Sequence, residues 1–151
     1  WSTGSATAPA NVVAEVDRPL EKWRILLVED VKSIRTLGQR ILSKQGARCS
    51  TAADGTLAVA AVEASIAKGK PFDCVLMDFH MPNMDGLTAI RKIREKHGDQ
   101  APKMIGFSAD VMADTSTRFM EAGAVTVLCK PYNAKDLCHA LRQHVKPWHG
   151  R

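Results

Sequence analysis

The sequence predicts an α/β protein whose open parallel sheet has five strands, with five helices packed on both of its faces. Short, continuous apolar runs alternate along the chain with segments whose apolar residues recur at helical spacing. Continuous apolar runs suit strands that are covered on both faces, and the helical period indicates amphipathic helices. Strict alternation of the two favours a parallel sheet with right-handed crossover helices.

The first half of the chain provides two strands and two helices. Residues 24–28 form an apolar run, and apolar residues then recur at helical spacing over 34–42 before the stop signal of Gly46. Residues 48–52 are predicted as the second strand. The Ala-rich stretch 55–68 is predicted as the second helix, because Ala and Leu favour helices and a Gly-Lys-Pro turn follows it.

The second half continues the same alternation. The strands are predicted at residues 72–77, 104–107 and 125–129, each rich in apolar residues and bounded by polar or turn-forming ones. Helices are predicted at 87–97, which carries basic residues at its end, and at 112–122, which a glycine follows.

Asn133, with Asp136 three residues later, is a capping signal for a final helix that runs to about residue 145. We therefore predict a folded domain over residues 23–146. Residues 1–22 lack a sustained period and are predicted to be a linker or flexible arm, and residues 147–151 a C-terminal tail.

The composition excludes several classes of function. The chain has 151 residues, 25% of them charged, and a net charge of +5, but its basic residues are scattered and only 5% of residues are aromatic. This pattern argues against nucleic-acid binding. No apolar run is long enough to cross a bilayer, so we expect no membrane contact by the domain itself. The cysteines form no CxxC pair and are expected to be reduced, in the cytoplasm; they are Cys49, Cys74, Cys129 and Cys138.

Polar side chains follow four of the predicted strands. Glu29 and Asp30 come after the first, Asp78 after the third, Ser108 after the fourth and Lys130 after the fifth. The carboxyl ends of parallel strands meet at one edge of a sheet, where ligands bind. Three carboxylates there need a cation, and oxygen ligands favour Mg²⁺. Lysine and serine beside it suit a phosphoryl group, which makes Asp78 the candidate nucleophile.

Each of these residues also has an ordinary structural explanation. Asp78 or Ser108 alone is more often a helix cap or a turn former, the Glu29–Asp30 pair suits the start of a helix, and a lone Lys130 suits a solvated surface. Their joint placement at strand ends is what favours a site. No P-loop, Ser-His-Asp elbow or HExxH motif is present, so the chain is not expected to bind ATP itself.

Four segments carry a resemblance to a known family. Leu-Leu-Val-Glu-Asp (26–30), Met-Asp-Phe-His-Met-Pro-Asn-Met-Asp-Gly (77–86), Ser-Ala (108–109) and Lys-Pro (130–131) strongly resemble the receiver domain of two-component response regulators. The likeness runs from about residue 23 to 146 and implies the flavodoxin-like, doubly wound fold of that family. Within it, the chain looks most like the receivers of hybrid sensor histidine kinases.

The resemblance implies a role for each residue of the site. Asp78 would accept a phosphoryl group from a phosphohistidine on a histidine kinase domain or a histidine phosphotransfer protein. Ser108 would move toward that group, and Lys130 would contact its oxygens. The chain would thus be a Mg²⁺-dependent phosphoryl-accepting domain of a phosphorelay.

The resemblance also implies the metal ligands. Asp30 and Asp78 would bind Mg²⁺ directly, Glu29 through water, and the backbone carbonyl of His80 would be a further ligand. Two positions depart from the common pattern of the family. Val127 stands where many receivers have a switching Tyr or Phe, which favours either another switch or a simple phosphate relay. His80 is less common at its position and could influence water access, although an exposed loop residue without a role is the simpler interpretation.

Three alternatives remain open at this level. The chain could be a stand-alone regulator or the receiver of a longer kinase; the missing initiator Met and the linker-like residues 1–22 favour the second, with a membrane-anchored kinase as one form of it. A receiver-fold docking module that does not depend on phosphorylation is the second alternative. The third is an aspartyl-phosphate hydrolase, which would typically have Asp at the position of His80.

Overall fold

The computed structural model describes residues 19–109 and 113–146. Along these residues five strands and five helices alternate, as predicted. The strands are β1 (Arg24–Val28), β2 (Arg48–Ala52), β3 (Cys74–Asp78), β4 (Lys103–Ser108) and β5 (Thr126–Cys129). The helices are α1 (Lys32–Lys44), α2 (Gly55–Ala67), α3 (Gly86–His97), α4 (Ala113–Ala122) and α5 (Ala134–His144), and a 3-10 turn (Gly98–Gln100) that was not predicted follows α3.

The strands form one parallel sheet in the order β2-β1-β3-β4-β5. The chain moves from β1 outward to β2 and then returns to the other side of β1 to form β3. The strand order therefore reverses between β1 and β3, and the crevice outside their carboxyl ends is where ligands bind in open α/β sheets. At this point β1 is followed directly by Glu29 and Asp30, and β3 ends on Asp78.

The sheet separates two hydrophobic cores. Leu26 and Val28 of β1 face one core, which α2, α3 and α4 cover, whereas Ile25 and Leu27 face the other, which α1 and α5 cover. Alternate side chains of a strand point to opposite faces, so a strand with a helix layer on each side must be apolar throughout. This explains why the apolar runs of the sequence were continuous.

The element bounds agree with the prediction to within two residues, and those of β1 and β2 are the predicted ones. β3 begins at Cys74 rather than at residue 72, because the Asp73 carboxylate accepts a hydrogen bond of 2.8 Å from the backbone N–H of Arg24 and so ends the loop before the strand. At their other ends, β3 and β4 include Asp78 and Ser108. The functional residues are thus the last residues of these strands rather than the first residues after them.

The packed region extends beyond the predicted start at residue 23. Leu20 is fully buried in the core on the α1 and α5 face, and its backbone N–H donates a hydrogen bond of 2.9 Å to the carbonyl of Gln45. Leu20 therefore packs with the folded domain, and the extent of the linker stays a prediction. Residues 1–18 and the predicted tail 147–151 lie outside the described residues.

Among the helices of the described residues, none has both the length and the apolarity needed to cross a bilayer.

Candidate active site

A lysine joins two acidic residues from different strands. The Nζ atom of Lys130, which follows β5, lies 2.6 Å from Oε1 of Glu29 and 2.8 Å from Oδ1 of Asp78. The side chains of Glu29 and Asp78 are only 5% and 8% exposed. Two buried carboxylates would repel one another without a cation, so the ammonium group stabilises their close approach.

The three predicted acidic ligands lie together. Glu29, Asp30 and Asp78 each offer one carboxylate oxygen, and these oxygens lie within 4.8 Å of one another. Asp30 is half-buried, while the other two are buried, so the cluster opens to solvent on the side of Asp30. An all-oxygen donor set of this kind fits a hard divalent cation such as Mg²⁺, which keeps several of its waters.

The pKa values show the effect of this crowding. Burial, together with a hydrogen bond with Glu29, raises the pKa of Asp30. Burial by itself would lower the pKa of Lys130, but the hydrogen bonds of its ammonium with Asp78 and Glu29 outweigh that effect and raise it. One ammonium does not balance three neighbouring acids, which leaves the cluster suited to a further cation.

Ser108 and His80 differ in how closely the structure joins them to this cluster. Ser108 is the last residue of β4 and is buried, and its carbonyl accepts a hydrogen bond of 2.9 Å from the backbone N–H of Lys130. The serine therefore lies beside the lysine at the same edge of the sheet. The His80 side chain is exposed, and the role of its carbonyl as a metal ligand stays a prediction.

The loop after β3 returns close to Asp78. The backbone N–H of Gly86 donates a hydrogen bond of 3.0 Å to the carbonyl of Phe79, and a Cβ atom at Gly86 would collide with the backbone carbonyl oxygen of Asp78. Asp85 caps α3, because its side chain accepts a hydrogen bond of 2.7 Å from the backbone N–H of Thr88. The turn at Asp85–Gly86 thus packs against the candidate nucleophile, which explains the need for glycine.

An aromatic contact joins this loop to α4. The ring of Phe79, next to Asp78, packs edge-on against Phe119 with centroids 5.5 Å apart, and the Arg118 guanidinium lies 5.6 Å from the Phe79 centroid. Val127 is partly buried against the same core, as predicted for a strand residue. The side chain that connects the site with α4 is therefore Phe79, a residue to which the sequence patterns assigned no role.

An apolar groove opens beside Lys130. It has a volume of about 330 Å³ between α1 and the residues that follow β5. Tyr132 forms one wall and stacks on Phe107, with ring centroids 4.6 Å apart. A Cβ atom at Gly38 of α1 would lie 2.8 Å from the Tyr132 hydroxyl, so glycine makes room for that ring. The full lining is Ile34, Leu37, Gly38, Ile41, Ala109, Lys130, Pro131 and Tyr132.

Comparison with known proteins relates the whole domain, and not only the site, to a family. Residues 25–142 match the sequence profile of the response regulator receiver domain. The chain belongs to this family. This receiver domain is 33% identical over 139 residues to the protein named probable histidine kinase 2 of Oryza sativa subsp. indica, with 84% of the chain and 13% of the kinase covered. It is 32% identical over 125 residues to transcription factor SKN7 of Chaetomium thermophilum, with 83% of the chain and 16% of that protein covered.

A similar solved structure is the receiver domain of a Pseudomonas aeruginosa sensor histidine kinase, which has a magnesium ion coordinated in its active site cleft. The TM-score is 0.72 at 29% identity, and the match covers 82% of this chain and 97% of that one. The chain spans less than a fifth of the two full-length relatives. The predicted family and the flavodoxin-like fold are confirmed, and the receivers of this family work with histidine kinases or phosphotransfer proteins in two-component systems.

Proposed function

We propose that Asp78 accepts a phosphoryl group from a phosphohistidine in a Mg²⁺-dependent step of a two-component phosphorelay. The observation that carries this proposal is the position of the Asp78 carboxylate, which is buried, paired with Lys130 at 2.8 Å, and within 4.8 Å of the Glu29 and Asp30 carboxylate oxygens. A carboxylate that only capped a helix would have no need of two further acids and a lysine.

In the proposed reaction, a carboxylate oxygen of Asp78 attacks the phosphorus atom. The new P–O bond forms as the P–N bond to the imidazole breaks, and the electron pair of that bond returns to the ring nitrogen. The products are an acyl phosphate on Asp78 and an unphosphorylated histidine on the donor. Transfer of this kind is catalysed mainly by positioning and by neutralising charge on the phosphoryl oxygens.

The residues around Asp78 would have different roles in this reaction. Asp30 and Asp78 would hold Mg²⁺, with Glu29 acting through water and His80 through its carbonyl, and the ion would neutralise charge on the transferred group. Because the Lys130 ammonium already contacts Asp78, it would lie close to the oxygens of a phosphoryl group on that residue.

Ser108 would complete the site from β4. It lies next to Lys130 through the backbone hydrogen bond of 2.9 Å, and its hydroxyl can donate to a second phosphoryl oxygen.

The donor protein would dock over α1. Val31, Ile34 and Leu37 are 45%, 40% and 58% exposed, an unusual concentration of large apolar side chains on one helix face. Lys130, which contacts Asp78, is one of the residues that line the groove beside this face, so a helix that covered the groove would bring its phosphohistidine close to Asp78. We propose that the partner presents an apolar helix face around its histidine, as a kinase domain or a phosphotransfer protein would.

Phosphorylation of the isolated chain tests the proposed reaction. Incubation with acetyl phosphate and Mg²⁺ should add the mass of one phosphoryl group, and peptide mapping should place it on Asp78. Asp78→Asn should abolish the adduct, whereas Asp99→Asn, a change at an exposed acid outside the cluster, should leave it unchanged. A folded wild-type protein that forms no adduct would overturn the proposal and favour the phosphorylation-independent docking module.

A second experiment tests the docking surface. Leu37→Asp should slow transfer from a phosphorylated histidine phosphotransfer protein at least tenfold and leave labelling by acetyl phosphate unchanged. Leu57→Asp is a matched control, because Leu57 is 52% exposed but lies on α2. Equal effects of the two substitutions would contradict docking over α1.

The full-length protein is proposed to be a hybrid histidine kinase that carries this domain as its receiver. The rice relative, a histidine kinase, supports this assignment, although SKN7, a transcription factor, is almost as similar. A cytoplasmic location also stays a prediction. The gene sequence on both sides of the domain tests the assignment, and a DNA-binding segment in place of a kinase core would contradict it.

A further inference from the structure

Arg35 of α1 holds the turn that carries two of the acidic residues. Its Nη1 atom donates hydrogen bonds to the backbone carbonyls of Glu29, at 2.8 Å, and of Asp30, at 3.3 Å. These are the two residues whose carboxylates join Asp78 in the acidic cluster. Arg35 thus contacts the backbone of the proposed metal ligands and none of the three carboxylates through a hydrogen bond in the described structure.

The turn lacks the usual means of fixing the start of a helix. Val31 occupies the N-cap position of α1 and provides no side-chain hydrogen bond, and the first turn contains no acidic residue. The backbone N–H of Val31 instead donates to Oε2 of Glu29 at 3.2 Å. The Glu29 carboxylate therefore contacts both the start of the helix and Lys130, and the hydrogen bonds from Arg35 are further contacts on the same turn.

We propose that Arg35 is a positioning residue for Mg²⁺ binding, and through it for phosphoryl transfer to Asp78. The guanidinium group bridges two consecutive carbonyls and so fixes the direction in which the Glu29 and Asp30 side chains leave the backbone. A planar guanidinium is suited to such a bridge, whereas a lysine ammonium is a compact point charge on a more flexible stem. This inference rests on the proposed function of the site.

Replacement of Arg35 should change the affinity for Mg²⁺ in opposite directions, depending on whether the charge of Arg35 or its positioning role matters more. Removal of a positive charge near a cation site should, by Coulomb's law, strengthen the binding of Mg²⁺. Loss of a contact that orients the ligands should weaken it, and outer partners of metal sites typically contribute tenfold or more to affinity. The direction of the change in Mg²⁺ affinity therefore separates the two roles.

Calorimetric titration of the full chain with MgCl₂ makes this test. Arg35→Ala should raise the dissociation constant for Mg²⁺ about tenfold, and Arg35→Lys, which retains the charge, should raise it severalfold. Arg40→Ala, which removes an exposed arginine from the same helix, should leave it unchanged. Unchanged or tighter binding by Arg35→Ala would overturn the proposal, and if that variant does not fold, unchanged binding by Arg35→Lys would overturn it equally.

Labelling by acetyl phosphate separates this inference from the proposed function. The Arg35→Lys protein should label slowly at limiting Mg²⁺ and reach the wild-type rate at saturating Mg²⁺, since only the affinity for the ion has changed. Slow labelling at every Mg²⁺ concentration would contradict a role in positioning the ligands. Failure of the wild-type protein to accept a phosphoryl group would remove the proposed function, while the comparison of Mg²⁺ affinities would still decide the role of Arg35.

Discussion

Replacement of Lys130 by methionine tests the electrostatic account of the site most directly. The ammonium lies 2.6 Å from Glu29 and 2.8 Å from Asp78, whose side chains are 5% and 8% exposed, so the variant keeps two buried carboxylates without their partner. Removal of one member of a buried ion pair costs about 3–5 kcal/mol. Because the Lys130 side chain is 20% exposed and water can reach its position, we expect about 3 kcal/mol, the lower end of that range.

The measurement is urea unfolding in the presence of EDTA, followed by far-UV circular dichroism. Lys96→Met provides the matched control, because Lys96 forms an ion pair of similar length, 2.7 Å, with Glu63, but both side chains are about half exposed. Exposed pairs contribute little, so the control should lose about 0.5 kcal/mol or less. A Lys130→Met protein that is as stable as the Lys96→Met protein in EDTA would refute the reasoning.

The difference in stability between the wild type and Lys130→Met should depend on pH and on Mg²⁺. The folded-state pKa of Lys130 is raised above its ordinary value of 10.5, so its contribution to stability is complete below about pH 10.5 and is lost as pH rises through the raised pKa. The difference in stability between wild type and Lys130→Met should therefore be constant from pH 7 to pH 10 and should narrow above that. Mg²⁺ should stabilise the variant more than the wild type, since a divalent cation can replace the missing charge.

Three further predictions concern other parts of the chain. Gly86→Ala should destabilise the fold by about 2–4 kcal/mol and slow labelling by acetyl phosphate, because a Cβ atom at this position collides with the backbone of Asp78. A variant with the stability and the labelling rate of the wild type would contradict this contact. Asp54→Ala removes the side-chain cap of α2 and should lower the urea concentration at the midpoint of unfolding. Burial raises the pKa of Cys49 to about 12, so at pH 8 iodoacetamide should modify the exposed Cys129 much faster, and mass spectrometry that finds equal rates would refute this.

The order of the elements could be predicted because each signal is local. A continuous apolar run indicates a buried strand, and helical spacing followed by glycine indicates a helix that ends there. Gly46 and Gly123 do follow α1 and α4, with φ values of 99° and 129°. The ends of β3 were predicted less accurately, because the hydrogen bond between Asp73 and the start of β1 joins residues that are 49 positions apart in the sequence.

The grouping of the candidate site residues was also predictable, because strand ends can be located from the sequence and parallel strands place those ends at one edge. The sequence alone thus determined a parallel α/β sheet and a group of acids, serine and lysine around Asp78.

Only the tertiary structure decided which of these groups touch. Lys130 contacts Glu29 across 101 positions of sequence, and the same ammonium group contacts Asp78 at the end of another strand. Such contacts depend on strand order, register and side-chain direction, which follow from how the whole chain packs and not from any local pattern of residues.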